Sequence, residues 1–362
     1  MSLSETNLAE LALSIKRWGR ELGFAEVRIT DVDLSHAEAG LQAWLDAGMH
    51  GDMDYMASHG MMRARPAELV PGTVRVVSAR MDYLPSATGD DWRERETARL
   101  ADPQAAVLSL YARGRDYHKV LRGRLQQLAD KVKAEIGDFG YRVFTDSAPL
   151  MELPLAEKAG LGWRGKHTLL LSRTAGSMFF MGEFLVDLPL PVDEPTSAHC
   201  GQCSACIDVC PTQAILGPGK LDARRCIAYL TIELKSAIPE EMRPLIGNRV
   251  YGCDDCQTVC PWNKFAGRAV LPDFDERNGL GGASMVELFA WTEEDFNRKL
   301  EGSPIRRLGH ERWLRNLAVG LGNAAAMGAK GDAAIVAALQ ARRAHPSALV
   351  REHVEWALAR HA

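Results

Sequence analysis

The sequence predicts an α+β protein built from three segments of different character. Short apolar runs alternate with helical patterns up to about residue 192, eight cysteines are confined to residues 200–260, and an Ala- and Leu-rich tail follows. We therefore expect a mixed α/β domain over residues 1–192, a cysteine-rich domain over 193–275 and an α-helical domain over 276–362. With 362 residues, 46% of them hydrophobic, the chain can bury a sizeable core.

The first segment opens with an amphipathic helix and contains a second one at residues 117–136, because apolar side chains recur there at helical spacing. Short apolar runs predict strands at residues 25–29, 74–79, 105–111, 141–144 and 167–171. The proline-rich passage 188–195 breaks regular structure and predicts a linker into the cysteine-rich segment.

The cysteines have a spacing typical of iron–sulfur ligands. In ferredoxin-like proteins, three cysteines with two residues between each hold one 4Fe–4S cluster, and a fourth cysteine followed by proline binds the other cluster. The first run ends at Cys210-Pro211, the second ends at Cys260-Pro261, and Cys226 lies between them. Symmetric exchange assigns the ligands to two clusters, Cys200, Cys203, Cys206 and Cys260 to one, and Cys210, Cys226, Cys253 and Cys256 to the other.

Structural zinc and disulfides are the other uses of such cysteines. Zinc needs only four ligands per site, and a disulfide framework needs an oxidising compartment. The long spacing pattern is much more specific than a single Cys-x2-Cys, so it favours two 4Fe–4S clusters and a role in electron transfer. A ferredoxin-like carrier does not need the long first segment, so an enzyme is favoured.

Charge is distributed unevenly along the chain. The net charge is −4. From Arg298 onward the chain has eleven Lys and Arg but only five Asp and Glu, so this tail carries +6 and the rest of the chain −10. A basic lobe is typical of nucleic-acid binding, although solvated helix faces give the same pattern. Residues 315–319 and 351–355 resemble each other, which indicates either HEAT-like repeats or an ordinary helical subdomain.

Nothing in the sequence predicts export or a membrane span. No apolar run approaches the roughly 18 residues that a spanning helix needs, and the start lacks the continuous apolar stretch of a signal peptide. We therefore expect a cytoplasmic protein without a membrane partner.

Candidates for acid–base chemistry follow two of the predicted strands. Asp116 and His118 come after the strand at 105–111, and Asp146 comes after the strand at 141–144. Polar groups at strand ends commonly face the crevice of an α/β fold. Helix caps and turns are the alternative use of such aspartates.

These features together resemble the epoxyqueuosine reductases, a cobalamin-dependent family that completes queuosine synthesis in tRNA. The resemblance covers most of the chain. It is carried by the cysteine pattern and by residues 111–118 (YARGRDYH), 146–152 (DSAPLME), 157–162 (EKAGLG) and 248–256 (NRVYGCDDC). It implies an oxidoreductase that binds base-off cobalamin in the first segment beside two 4Fe–4S clusters, and that reduces epoxyqueuosine to queuosine in the anticodon loop.

The resemblance also implies roles for individual residues. Asp146 is implied as the proton donor, with Asp116 as an accessory group, and the pKa of Asp146 is then expected to be raised by burial or by the charge of Asp116. His167 stands where the family often has asparagine. The implied cobalamin contacts are Arg63, Ser109, Asp146, Leu170, Met181, Asp254 and Asp255.

The basic tail is then expected to dock the tRNA. Phosphate contacts are predicted for Arg306, Arg307, Arg312 and Arg315. We expect a monomer that receives electrons from a separate reductant, such as a flavodoxin or ferredoxin system. A corrinoid iron–sulfur reductase of a small molecule, similar to reductive dehalogenases, is the alternative enzyme, and a ferredoxin-like carrier is the alternative without catalysis.

Overall fold

A four-stranded antiparallel sheet organises the first half of the chain in the computed structural model, which describes residues 4–362. Its strand order is β1-β2-β7-β4, and every neighbouring pair is antiparallel. The strands of the chain are β1 Glu26–Thr30, β2 Arg75–Asp82, β3 Val107–Leu108, β4 Tyr141–Phe144, β5 Trp163–Arg164, β6 Leu170–Leu171, β7 Phe179–Val186, β8 Ile215–Gly217, β9 Lys220–Leu221 and β10 Arg249–Tyr251.

Helices cover both faces of this sheet. Leu11 and Leu125 pack with Val77 on one face, whereas Leu155 packs with Val76 and Leu185 on the other. Of the helices in the described part of the chain, none is long and apolar enough to cross a membrane. The helices are α1 Glu5–Glu21, α2 Ser35–Asp46, α3 Asp54–Ser58, α4 Pro66–Leu69, α5 Trp92–Ala101, α6 Tyr117–Ile136, α7 Glu152–Lys158, α8 Ala205–Asp208, α9 Arg243–Ile246, α10 Asp255–Thr258, α11 Met285–Ala290, α12 Glu293–Lys299, α13 His310–Ala324, α14 Ala333–Ala341 and α15 Ala348–His361.

The structure confirms most predicted elements but adds the strand β7. The helix α6 and the strand β4 have their predicted bounds, and β1 and β2 lie within one to three residues of theirs. The runs 105–111 and 167–171 contain only the two-residue strands β3 and β6. β7 pairs with both β2 and β4 at the centre of the sheet. Its side chains are almost all buried, so it lacks the alternation that identifies a half-exposed strand.

The proline-rich passage 188–195 contains no helix or strand, as predicted, but it is fixed to the sheet. The Asp193 backbone N–H donates to the Ile29 carbonyl at 2.8 Å, and its carboxylate accepts from the Ile29 N–H at 2.9 Å. Leu190 is fully buried. The passage therefore covers the outer side of the edge strand β1, which a free linker would leave open.

A second core joins the C-terminal helices to the other segments. It includes Leu317 of α13 and Val354 of α15, together with Leu108 of β3 and Val250 of β10. The strands β3 and β10 pair in parallel, although they come from different predicted domains. The repeat-like segments lie in α13 and α15, which pack against each other. The predicted domain bounds and the HEAT-like arrangement stay predictions.

Candidate active site

Three cavities contain most of the predicted site residues. The distal cavity, about 480 Å³, is lined by Cys200, Cys203, Cys206 and Cys260 together with Trp262. The central cavity, about 450 Å³, is lined by Cys210, Cys226, Cys253 and Cys256, and by Ser109, Leu170, Met181, Asp254 and Asp255. The outer cavity, about 680 Å³, is lined by Arg63, His118, Glu233, Arg307 and Arg312.

Shared residues connect these cavities in a row. His167 lines both the distal and the central cavity. Tyr117, Asp146 and Glu152 line both the central and the outer cavity. Asp146 therefore lies at the boundary between the cavity that contains one cysteine group and the cavity that is lined by Arg63, Arg307 and Arg312.

The cysteines fall into the two groups that their spacing predicts. All eight are free, so none is used in a disulfide. Burial raises the pKa of Cys206 to about 11, and the thiolates of Cys260, Cys200 and Cys203 contribute to the increase. Burial also raises the pKa of Cys256, with a further contribution from Cys226. Each group thus holds like charges close together, which cationic iron would neutralise, although cluster ligation itself stays a prediction.

The central cavity has an apolar wall and an unsatisfied hydrogen-bond donor, which fit a cofactor with an apolar face and polar groups at its edge. Its wall includes Leu169, Leu170 and Met181, and Leu169 keeps 39% of its surface exposed. His167 is buried, and its Nδ1 accepts from the Leu169 backbone N–H at 3.1 Å, so Nε2 carries the proton. Among residues 4–362, no acceptor satisfies this Nε2. A buried donor without an acceptor is costly, and a bound cofactor with an acceptor would satisfy it.

The aspartate pair beside the last cysteines is engaged within the protein. Asp254 accepts from the Ser109 hydroxyl and, at 2.7 Å, from the Leu110 backbone N–H. Asp255 forms an ion pair with Arg249, whose Nε donates at 2.9 Å. Both residues line the central cavity, but their carboxylates hold the cysteine loop in place.

Arg63 does not join the other predicted cofactor contacts. It lines the outer cavity, where its guanidinium donates to the carbonyls of Tyr55 and Met56 at 2.6 and 3.1 Å. Its side chain is buried and supports the turn between residues 55 and 63. The structure therefore does not place Arg63 where it could contact a ligand in the central cavity.

Asp146 is held by groups from α6 and α7. The Tyr117 hydroxyl donates to its Oδ2, and His118 Nε2 lies 3.3 Å from the same oxygen. Its backbone N–H donates to Glu152 Oε1 at 2.5 Å. Its backbone φ is +47°, a left-handed conformation that is uncommon for residues other than glycine. These contacts therefore hold the carboxyl group at the boundary of the two cavities.

Asp116 is linked to Asp146 through His118. As the N-cap of α6 it accepts from the His118 backbone N–H, and its Oδ1 lies 2.8 Å from His118 Nδ1. Its Oδ2 accepts from Arg307 Nη2 at 2.8 Å. Burial lowers the pKa of His118, but the hydrogen bonds to Asp116 and Asp146 outweigh it and raise the pKa above its ordinary value. Asp116 is thus both a helix cap and the support of an Asp–His–Asp chain.

The structure contradicts the expected increase in the pKa of Asp146. Burial raises this pKa, but the hydrogen bonds from His118 and Tyr117, followed by the charges of His118 and Arg307, lower it below its ordinary value. The side chain is 54% exposed to the cavities. The charge of Asp116 cannot act as expected, because Arg307 and His118 neutralise it. The carboxyl group that accepts from the Asp146 backbone, Glu152, does have a raised pKa, because burial raises it to about 7.

Tyr117 and Glu152 were missed as site residues. Tyr117 stands between Asp116 and His118, and Glu152 ends the motif that begins at Asp146. Their presence in these motifs was a usable signal. Only the fold shows that both side chains reach Asp146.

The prediction of a phosphate contact by Arg315 is wrong. Its side chain is fully buried, and its guanidinium donates to the carbonyls of Leu230, Leu234 and Ser236 at 2.7–2.9 Å. Arg306 and Arg307 are exposed, but Arg307 also holds Asp116. Arg312 is partly buried and donates to the Ile232 carbonyl at 3.0 Å from the wall of the outer cavity.

Two cysteine groups next to an acid–base cavity are the arrangement expected of an iron–sulfur oxidoreductase. The cysteine-rich region matches the family described as "4Fe-4S double cluster binding domain" over residues 199–263. Residues 63–147 match the family described as "Epoxyqueuosine reductase QueG, DUF1730".

Full-length relatives identify the family. The chain is 66% identical to the epoxyqueuosine reductase of Burkholderia pseudomallei (strain K96243), covering 98% of this chain and 93% of the relative. It is 62% identical to the enzyme of Pseudomonas aeruginosa, covering 99% and 97%. A solved structure of epoxyqueuosine reductase with an epoxyqueuosine-modified tRNA-Tyr stem loop superposes with a TM-score of 0.87 at 26% identity, covering 98% of this chain and 91% of that one. The chain belongs to the epoxyqueuosine reductase family.

Proposed function

We propose that the chain reduces epoxyqueuosine to queuosine in the anticodon loop of tRNA. The observation that carries the proposal is the position of Asp146, whose carboxyl group lies where the cysteine-lined central cavity meets the outer cavity. The family to which the chain belongs supports the substrate. The reaction consumes two electrons and two protons, breaks the epoxide C–O bonds and releases water.

We infer that the two cysteine groups hold two 4Fe–4S clusters. Cys200, Cys203, Cys206 and Cys260 would bind one cluster in the distal cavity, and Cys210, Cys226, Cys253 and Cys256 would bind the other beside the central cavity. Thiolates are the ligands that such clusters require. His167 lies in the wall between the two sites.

The central cavity would hold base-off cobalamin. Leu170 and Met181 would form its apolar contacts, Ser109 and the backbone near Asp254 and Asp255 would line its edge, and His167 Nε2–H would donate to a polar group of the cofactor. When bound, the corrinoid supplies both reducing electrons at one centre, whereas clusters deliver electrons singly. Arg63 would support the outer cavity rather than the cofactor.

Asp146 would transfer a proton to the oxygen that leaves the substrate carbon. The hydrogen bonds from Tyr117 and His118 fix its orientation, and the raised pKa of His118 keeps a proton available beside it. Asp116 positions this imidazole from its other nitrogen. A general acid placed in this way typically contributes 10²–10⁴-fold to the rate.

The tRNA would approach from the outer cavity. Its anticodon loop would place the modified base toward Asp146, while Arg306, Arg307 and Arg312 would meet phosphates at the mouth. A monomeric state, a cytoplasmic location and a flavodoxin or ferredoxin as reductant stay predictions.

The test is anaerobic reconstitution with iron and sulfide, with and without cobalamin, followed by assay of epoxyqueuosine in tRNA digests. We expect epoxyqueuosine to be converted to queuosine only when the corrinoid is present. Conversion by protein that contains clusters but no corrinoid would contradict the assignment of the central cavity, and no conversion by fully loaded protein would contradict the proposed function.

A further inference from the structure

A second carboxyl group stands directly behind the Asp146 loop. Glu152 is the first residue of α7, and its Oε1 accepts from the Asp146 backbone N–H at 2.5 Å. It also lines both the central and the outer cavity, so its carboxyl group is accessible from the substrate side as well as from the loop. No step of the proposed reaction uses this carboxyl group.

A third carboxyl group adjoins Glu152 inside the sheet. Glu183 lies at the centre of β7, directly opposite Ser78 of β2, and is fully buried. Its side chain adjoins that of Glu152. Within the described residues, however, neither Glu183 oxygen makes a hydrogen bond of ordinary geometry, and Ser78 Oγ is also unsatisfied. We refer to Glu152 and Glu183 as the carboxyl pair.

Burial forces the carboxyl pair to hold protons. An ionised carboxylate without a partner in a buried site is far too costly, so such a group becomes neutral instead. Burial raises the pKa of Glu183 well above its ordinary value, with Glu152 and Asp146 contributing. Burial and the charge of Asp146 raise the pKa of Glu152 to about 7. At neutral pH, Glu183 is therefore neutral and Glu152 is near its midpoint.

Few other charges face the pair. Asp146 approaches it from the loop after β4, and His118 approaches from the start of α6. Arg80 of β2 lies two residues from Ser78 on the same face, but Asp82 and Glu26 engage it. Opposite charge is thus too distant or already neutralised, and protons are what keep the pair stable.

We propose that the carboxyl pair stores a proton for the reduction, with Glu152 as the second proton donor and Glu183 as its positioning residue. This inference rests on the proposed function, in which each turnover consumes two protons and Asp146 transfers one. In the step that we assign to Glu152, its O–H bond breaks and a new O–H bond forms on the Asp146 carboxylate, with no change in oxidation state. Glu152 is left as a carboxylate, to which the neutral Glu183 donates its O–H, and it is reprotonated by water in the outer cavity.

Glu152→Gln separates proton storage from loop support. The amide oxygen of glutamine still accepts from the Asp146 N–H, but the side chain has no acidic proton to transfer. We expect alkene formation in a single turnover to slow by about two orders of magnitude. Wild type should lose rate above about pH 7, because Glu152 then loses its proton, and this decrease should be absent in Glu152→Gln. Cluster and corrinoid spectra and tRNA affinity should match wild type.

Glu183 is tested by two substitutions. Glu183→Gln keeps a donor toward Glu152 and should retain the wild-type rate and pH profile. Glu183→Leu removes the donor, so the Glu152 carboxylate loses its support, and the decrease in rate should move to higher pH. Identical pH profiles for the two variants would contradict the positioning role.

Infrared spectroscopy measures the protonation of the carboxyl pair and does not require turnover. Wild type should show the C=O band of a carboxylic acid that disappears with a midpoint near pH 7, and Glu152→Gln should lack this band. The proposal that the carboxyl pair stores a proton is wrong if wild type lacks the band, or if Glu152→Gln keeps the wild-type rate and pH profile. Either result would overturn it even when the enzyme converts epoxyqueuosine. A wild type that shows the band and converts none contradicts the proposed function, and the catalytic use of the pair with it.

Discussion

Asp146 combines an uncommon backbone conformation with two hydrogen-bond donors on one carboxyl oxygen. Asp146→Asn keeps the size of the side chain but cannot accept a proton and pass it to the substrate. We expect turnover to fall by about 10²–10⁴-fold, while cluster content, corrinoid binding and tRNA affinity stay unchanged. Conversion of epoxyqueuosine in tRNA digests measures this. Near wild-type turnover would show that another group, such as Glu152 or His118, transfers the first proton.

At the residue scale, the sequence predicted which side chains matter better than what they do. Asp116, His118 and Asp146 were predicted from their positions after apolar strands, and the structure brings them into one hydrogen-bonded chain. The direction of the pKa shift of Asp146 could not be predicted, because it depends on hydrogen bonds from side chains that only the fold brings together. Glu183 gave no signal, since a charged residue within an apolar run argues against a buried strand.

Arg315 connects α13 to the segment at residues 229–236, so its loss should affect stability rather than tRNA binding. Arg315→Met leaves the carbonyls of Leu230, Leu234 and Ser236 without a donor. Only the carbonyls of Leu230 and Leu234 belong to buried residues. At about 1–2 kcal/mol for each of these two, we expect a loss of about 2–4 kcal/mol in the free energy of unfolding. Anaerobic denaturant unfolding measures the loss. Arg306→Met, at an exposed position, is the control and should change stability by less than about 0.5 kcal/mol.

His353 fixes the helix α15 to the chain near Ile238 and makes this contact sensitive to acid. Its Nε2 accepts from the Ile238 N–H at 3.2 Å, and its Nδ1 donates to the Leu349 carbonyl at 2.8 Å. Burial lowers the pKa of His353 to about 4, whereas an unfolded histidine titrates near 6.5. The unfolded chain therefore binds the proton first as the pH falls.

The contribution of His353 to the free energy of unfolding should be fully present above about pH 6.5. As the pH falls toward 4, this contribution should decrease by up to about 3 kcal/mol. His353→Gln keeps an acceptor and a donor but does not titrate. The free energy of unfolding of this variant should therefore depend less on pH between 7 and 5 than that of wild type. Equal pH dependence of the two proteins would rule out His353 as the titrating group.

At the scale of the whole molecule, local patterns predicted the composition of the three segments but not how they join. The parallel pairing of β3 with β10 joins residues that lie more than a hundred positions apart, and Asp254 reinforces it by binding Ser109 and Leu110. Neither contact follows from periodicity, because both depend on long-range topology. The active site forms where these segments meet, so its residues could be predicted singly and its cavities could not.

The mouth of the outer cavity is the surface that we expect to dock the tRNA. Arg306 is exposed and lies in the turn Pro304–Leu308, whose neighbouring residues Arg307 and Leu308 line this cavity. Its Nε lies 3.5 Å from Asn297 Oδ1. Arg306→Glu should weaken tRNA binding several-fold. It should also reduce the slope of the logarithm of affinity against the logarithm of salt concentration by about the amount that one phosphate contact contributes. Arg343→Glu changes the net charge equally at an exposed site outside this cavity, where Arg343 pairs with Glu355 at 2.7 Å. Because long-range attraction depends mainly on total charge, equal effects of the two substitutions would show that the mouth makes no specific contact, whereas a larger effect at Arg306 supports docking there.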